Sequence, residues 1–378
     1  MRKLLWVAIA LGSAIGLYLY SLSPHEKTFS IEPASPQPQA AIVQSGAPAS
    51  TNLDATSNTV SVGKPKEGFQ PQCIANDWLR NSTEEMIKQY EQAIERHLHS
   101  LANEGSDLSQ YQHALYAPVE SKQERLARLV KYNKSFGGKP LTFQAALNIC
   151  TTAPEEPGCS IELAMAAIEA DPDNGSMWLS AILYFAATKN TEKMRWAMSK
   201  AISTNYFNER MGAFALGYAE ALQGSAANSQ ALNLFNGFAE ALESVRSFAP
   251  LVDTCKEQIA DPVFAQQCLQ YGQDLQSRAQ TSITQIVGIR LQKQVYRHNS
   301  DFKSAKIVDE SYTRFTPTPP YPTKADILMF SDDEFTRAWL INFDQVGEVE
   351  AQRVIHTIAE QLYPGELPAP CEELEFEL

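Results

Sequence analysis

An all-α chain of antiparallel helix pairs, stapled by disulfides and preceded by one transmembrane helix, is the fold class this sequence predicts. Three observations carry it. From residue 73 onward apolar side chains recur at helical spacing, and alternating β-branched runs are scarce. All six cysteines lie in that same part of the chain. Ahead of it, Arg2 and Lys3 precede an uncharged run from Leu4 to Leu22.

The N-terminal run is nineteen residues long. At ~1.5 Å per helical residue it nearly spans a hydrocarbon core of roughly 30 Å. The basic pair is expected to stay cytoplasmic, which sends the rest of the chain across the membrane. A cleaved signal peptide is the competing reading, but its apolar region is typically only ~7–15 residues. Here Tyr18 and Tyr20 stand where interfacial aromatics do, and Pro24 follows the one small-residue candidate site, Ser21-Leu22-Ser23. Residues 1–22 therefore read as a signal-anchor.

Residues 23–72 are rich in Ser, Ala, Pro, Gln and Thr. Such a composition buries too little apolar surface to offset its ordering entropy, so a flexible linker is expected. For ~50 residues its root-mean-square reach is roughly 40 Å.

The cysteines are Cys73, Cys150, Cys159, Cys255, Cys268 and Cys371. An even number confined to the exported part fits disulfides in an oxidising compartment. Cys150 and Cys159 flank "TTAPEEPG", a bend between two helical patterns. Cys255 and Cys268 flank another bend, where Asp261-Pro262 reads as a helix start. That leaves Cys73 with Cys371, at the ends of the folded region. The short closures are worth about 3 kcal/mol each on loop entropy. Zinc would want thiols two to four residues apart or paired histidines, and a redox pair would want C-x-x-C. Neither pattern is present.

Helix signals then follow in order. "NSTEEMIKQYEQAIERHLHSLANEG" opens with a capping box, Ser82-x-x-Glu85, and stops at Gly105. "ESKQERLARLVKYNKSFGG" is a second amphipathic segment ended by glycines. Residues 262–297 keep helical spacing for nearly ten turns with no interior proline. "FTPTPPYP" (315–322) reads as an extended crossing, followed by helices near 332–343 and 347–363. No sheet is expected.

Part of this pattern repeats. Ala167-Ile168 recurs as Ala201-Ile202, and Asn174 as Asn208, each at an offset of 34. Phe143, Trp178 and Phe214 are each followed three residues later by a small residue: Ala146, Ala181 and Gly217. Asp171-Pro172 stands where a repeat closes. Residues 140–222 thus resemble the tetratricopeptide repeat, a 34-residue helix pair. The resemblance implies a right-handed solenoid within a helical domain over 73–378, completed by flanking helices.

It also implies a concave face lined by the first helix of each pair. Projection places Leu141, Gln144, Asn148 and Thr151 there, then Ser176, Leu179, Leu183 and Ala186, then Gly212, Ala215, Ala219 and Leu222. Gln144, Asn148, Leu179 and Leu183 form the candidate partner groove. It holds no Lys or Arg, which departs from family members that clamp a peptide carboxylate. Other helices of the chain, such as 229–247, would cover this surface, or it would stay open to a partner helix.

Chemistry-bearing patterns are few. His97 and His99 are two apart and point away from each other on a helix. His113 could approach one of them, and His25, His298 and His356 stand alone. No G-x-S-x-G, H-E-x-x-H or phosphate-cradling glycine loop occurs, and no cofactor is expected. The net charge of −13, with Lys and Arg scattered, argues against nucleic acid. The expectation is a non-catalytic interaction scaffold or adaptor for envelope proteins, in the inner membrane of a Gram-negative-type bacterium. Its N-terminus would be cytoplasmic and its helical domain periplasmic. An envelope hydrolase on a helical scaffold, or a secreted helical protein, is the alternative.

Overall fold

Short polar side chains decide where most of the helices begin. Thr83, Ser106 and Ser121 accept from the backbone N–H of Met86, Ser109 and Glu124, opening α1 (Glu84–Ser100), α2 (Asp107–Tyr116) and α3 (Lys122–Phe136). The first cap is Thr83, one residue beyond the expected Ser82. Helix α3 stops at Gly137, whose φ of 80° is a left-handed conformation open to glycine.

The computed structural model describes residues 83–225, 230–243, 246–312 and 323–362, all within the unit Val60–Leu378. The anchor 4–22, the linker 23–72, Cys73, Cys371 and the crossing at 315–322 lie outside these residues. Among the described residues no helix is long and apolar enough to cross a membrane.

The central helices are α4 (Pro140–Thr152), α5 (Ile161–Ala170), α6 (Gly175–Ala187) and α7 (Thr191–Ala201). Helix α4 packs on α3, α5 and α6, and α6 packs on α5 and α7, so neighbours stack in chain order. Large rings and small neighbours make this possible. Phe143 and Trp178 are buried beside Ala146 and Ala181, which have no exposed surface. The next pair, α8 (Met211–Ala221) and α9 (Gln230–Glu243), departs from that order. Helix α8 packs on α2 and on a late helix instead. A Cβ on Gly217 would meet the Tyr116 hydroxyl of α2 at 2.3 Å, so the small residue of the third unit admits α2.

Two disulfides hold bends. Cys150–Cys159 closes the turn from α4 to α5, with a Cα–Cα distance of 5.5 Å. Cys255–Cys268 joins α10 (Ala249–Glu257) to α11 (Pro262–Arg278), at 6.1 Å. Cys150, Cys255 and Cys268 are buried. In both cases the spacing and the intervening turn residues had placed the closure.

Residues 262–297 do not form one long helix. They fold back into the hairpin of α11 and α12 (Ser282–His298). Thr281 caps α12 by accepting from the N–H of Thr284, and three residues suffice for the reversal. The helical period simply continues in phase through the turn. The chain ends its described part with α13 (Phe302–Glu310), α14 (Lys324–Ser331), α15 (Asp333–Val346) and α16 (Glu348–Leu362). Two hydrophobic clusters form the core, and α8 is their common wall. Phe214 and Tyr218 belong to the first. Ala215 and Ala219 belong to the second, with Leu340 and Ile355. Among the described residues there is no strand. An isolated bridge joins Asn174 and Tyr206.

Candidate functional site

The candidate groove is filled from within. Leu179 and Leu183 have no exposed surface, Gln144 is 4% exposed, and Asn148 is half-buried. Helix α10 packs on α6. Just before α10, Arg246 donates to the Ser176 carbonyl (3.1 Å) and hydroxyl (3.0 Å). The Ser247 N–H donates to Thr151 Oγ1 at 3.3 Å. The covering segment is therefore Arg246–Glu257, whereas 229–247 was the candidate from sequence. Alternation of apolar residues could not show which helix returns to this face.

A buried polar junction lies beside it, where several turns converge. It begins with the two repeat-related asparagines. Asn174 Oδ1 accepts from the N–H of Ser176 (3.0 Å) and of Asn208 (2.8 Å), and its amide donates to the Asn208 carbonyl (3.0 Å). Asn208 repeats the arrangement one unit on. Its Oδ1 accepts from the Arg210 N–H (2.6 Å), and its amide donates to the Asp344 carbonyl (3.1 Å). The offset of 34 in sequence is thus a stacked pair of turns held by side-chain amides.

Arg210 follows with φ of 57°, a left-handed conformation costly for a non-glycine residue. Its guanidinium bonds the Asp171 carboxylate, which ties this turn to the one between α5 and α6. Asp171 also accepts from the Tyr206 hydroxyl at 2.5 Å. Burial would raise its pKa, but hydrogen bonds from Tyr206, Arg210 and Asn174 outweigh that and hold it below the ordinary value.

Glu209 is the centre, 5% exposed. Its carboxylate accepts from the N–H groups of Gln280 (3.1 Å) and Thr281 (2.7 Å), and from the hydroxyls of Thr281 (3.1 Å) and Thr284 (2.6 Å). Its backbone N–H donates to Gln280 Oε1 at 3.0 Å, and its carbonyl accepts from Gln144 at 3.0 Å. One residue therefore ties α4, the turn before α8 and the α11–α12 turn together. The carboxylate thus accepts from two backbone N–H groups and the Thr284 hydroxyl, and shares the single Thr281 hydroxyl proton with Thr284 Oγ1.

Two further carboxylates sit on helix N-termini, where backbone N–H groups favour negative charge. Asp344 accepts from Gly212 (2.8 Å) and Ala213 (2.9 Å) at the start of α8. Glu348 accepts from the Ser282 N–H (2.7 Å) at the start of α12. Burial dominates both. It pushes Asp344 from 3.8 up to about 6, with the Gly212 and Ala213 N–H groups opposing. It raises Glu348 as well, again against its hydrogen bond from Ser282.

A folded-state pKa raised above the unfolded one favours the protonated form. The stability contributed by Asp344 is then full below about pH 4 and lost as pH rises through about 6. Melting temperature recorded from pH 4 to 7 is expected to include this downward component. Asp344→Asn should flatten it, while a slope unchanged in the variant would remove Asp344 as its source.

Among the described residues the histidines do not assemble a centre. His97 Nε2 donates to the Ala221 carbonyl at 2.9 Å. His99 and His113 approach, with ring centroids 6.1 Å apart. Burial first, then nearby Arg128, His99, Arg125 and Lys131, lower His113 to about 4. Among the described residues no group of three or more His, Cys, Asp or Glu is placed to hold a metal ion. Glu209, Gln280, Thr281, Thr284, Asp344 and Glu348 escaped sequence reading because they stand singly along the chain, in no motif. The signals were the repeated Asn174 and Asn208, Asp171 before Pro172, and Gln144 on the projected face. No family model, curated protein or solved structure matches this chain.

Proposed function

We propose that this chain is a membrane-anchored scaffold or adaptor of the bacterial cell envelope, non-catalytic, with its helical domain in the periplasm. The observation that carries this reading is the pairing of two disulfide closures with the basic-then-apolar start of the sequence. Disulfides persist in oxidising compartments, and a nineteen-residue apolar run is long enough to hold the chain there.

A tetratricopeptide-like organisation is part of the same proposal. Its support is the 34-residue offset between Asn174 and Asn208 together with the bonds that stack their turns. Such stacked pairs present extended surfaces to other proteins. The Arg246–Glu257 segment occupies the concave side, so contacts with partners fall to the outer faces. The junction's carboxylates, engaged by donors of the same chain, support a fold-holding role for them.

The test is affinity capture of the full chain from crosslinked membranes, with the N-terminus of the mature protein sequenced. A defined envelope partner and an uncleaved N-terminus are expected. A chain starting near Pro24 overturns the anchor, and peptidoglycan degradation by the purified chain overturns the non-catalytic reading.

A further inference from the structure

Helices α14, α15 and α16 pack on one another, and the unit meets the body of the chain through α15, which packs on α8 and α9. Its apolar side belongs to the second hydrophobic cluster, apart from the larger first one. The polar side of the attachment gathers at the elbow between α15 and α16. There the Asp344 carbonyl accepts from Asn208 (3.1 Å) and Gln280 (2.6 Å), and the Glu348 N–H donates to the Gln280 carbonyl at 2.8 Å. Gly347, with φ of 83°, lets the backbones come this close, since a Cβ on it would stand 3.0 Å from that same carbonyl oxygen.

The elbow carries two carboxyls into its seat. Asp344 accepts from the N–H groups of Gly212 and Ala213, and Glu348 from that of Ser282. The charges around them are unbalanced. Arg210 faces Asp344 but is bonded to Asp171. Glu209, a like charge, faces Glu348, and Arg246 faces Glu209. Other nearby cations are engaged elsewhere: Arg278 with Asp274, Arg337 with Glu220, and Arg353 with Glu350. Four carboxylates, Asp171 included, thus meet two arginines. Gathering like charges away from water favours a protonated member.

We propose that the α15–α16 elbow is a proton-operated latch, which seats α14–α16 on the body in acid and loosens as Asp344 and Glu348 ionise. Seating takes both carboxyls out of water, and burial raises both against hydrogen bonds that favour the charged form. A group whose seated pKa lies above its free one contributes fully below the free value. That contribution is lost as pH rises through the seated one. For Asp344 the window runs from 3.8 to about 6. The response is local, because the elbow fastens a unit with a core of its own, and such units open ahead of the whole fold. Release uncovers Ala215 and Ala219 of α8 and Leu340 of α15.

The experiment is hydrogen–deuterium exchange of the full chain at about pH 5 and about pH 7.5, with labelling times scaled to the intrinsic exchange rate. The opening constant of peptides within 333–362 is expected to rise roughly tenfold between the two, the linkage of one carboxyl shifted from 3.8 to about 6. Peptides within 175–201, in the first cluster, should keep theirs. Asp344→Asn with Glu348→Gln, which cannot ionise, should remove the rise. Equal opening of 333–362 at both pH values overturns the proposal. So does a rise that 175–201 shares in full, which would be global unfolding, or one that survives in the double variant. The comparison of the two regions in the unaltered chain decides the matter if the double variant does not fold.

Discussion

Glu209→Ala is expected to cost about 4 kcal/mol of folding stability, because it strands several buried donors at once. The Gln280 and Thr281 N–H groups and the Thr281 and Thr284 hydroxyls all aim at this one carboxylate. With a residue 5% exposed, water has little access to replace it. The loss extends to Arg246, whose pKa burial lowers and the Glu209 charge pulls back up. Removing that charge leaves a buried guanidinium bonded to Ser176 with less compensation for its desolvation. Glu209→Gln should cost about half as much, since one oxygen remains to accept while the charge is gone. Urea unfolding of the full chain measures both, followed by tryptophan fluorescence. A double-mutant cycle with Arg246→Met is expected to show coupling above about 0.5 kcal/mol, the level at which independent sites add. A loss for Glu209→Ala below about 1 kcal/mol would mean the junction is not what holds these turns.

That junction also marks the limit of what the sequence discloses. Local signals were legible wherever a single residue type decides a local outcome. Asp261-Pro262 announces α11, and Asp261 does accept from the N–H groups of Val263 and Phe264. The cysteines at 150 and 159 announce a closed bend because the eight residues between them, with two prolines and a glycine, leave few other paths. The offset of 34 was legible too, since Asn174 and Asn208 each hold the turn that follows with a side-chain amide.

What stayed hidden depends on partners distant in sequence. Glu209 means nothing until Thr281 and Thr284 are folded against it. The reversal at 279–281 left the apolar period unbroken, so one helix and a hairpin read alike. Its trace was the pair Thr281 and Thr284, a capping arrangement that only the tertiary contact with Glu209 brings out. The departure of α8 from the stacking order was equally silent, because Phe214 and Gly217 fit the repeat pattern while packing against Tyr116.

Close helix crossing is another such hidden feature, and it sets the second large effect. Gly288→Ala is expected to destabilise the chain by about 2–3 kcal/mol, although Ala is the better helix former by about 1 kcal/mol. Two opposed contributions decide the sign. A Cβ at 288 would meet the Gly272 carbonyl at 2.5 Å and the Gln276 nitrogen at 2.6 Å. Both are backbone atoms, so no rotamer change relieves the contact. Helix α11 must move as a body, and it is held elsewhere by the Arg195–Asp261 ion pair (3.1 Å) and the Cys255–Cys268 bond. Gly272→Ala meets the Gly288 carbonyl at 2.8 Å and the Leu291 Cβ at 3.0 Å, a looser fit, and should lose less. Gln273→Ala, on the exposed side of α11, should stay within about 0.5 kcal/mol. The order Gly288 above Gly272 above Gln273 in urea unfolding is the expected result. If Gly288→Ala stabilised the chain instead, helix propensity would have won, and the two helices would not touch through their backbones as closely as these glycines place them.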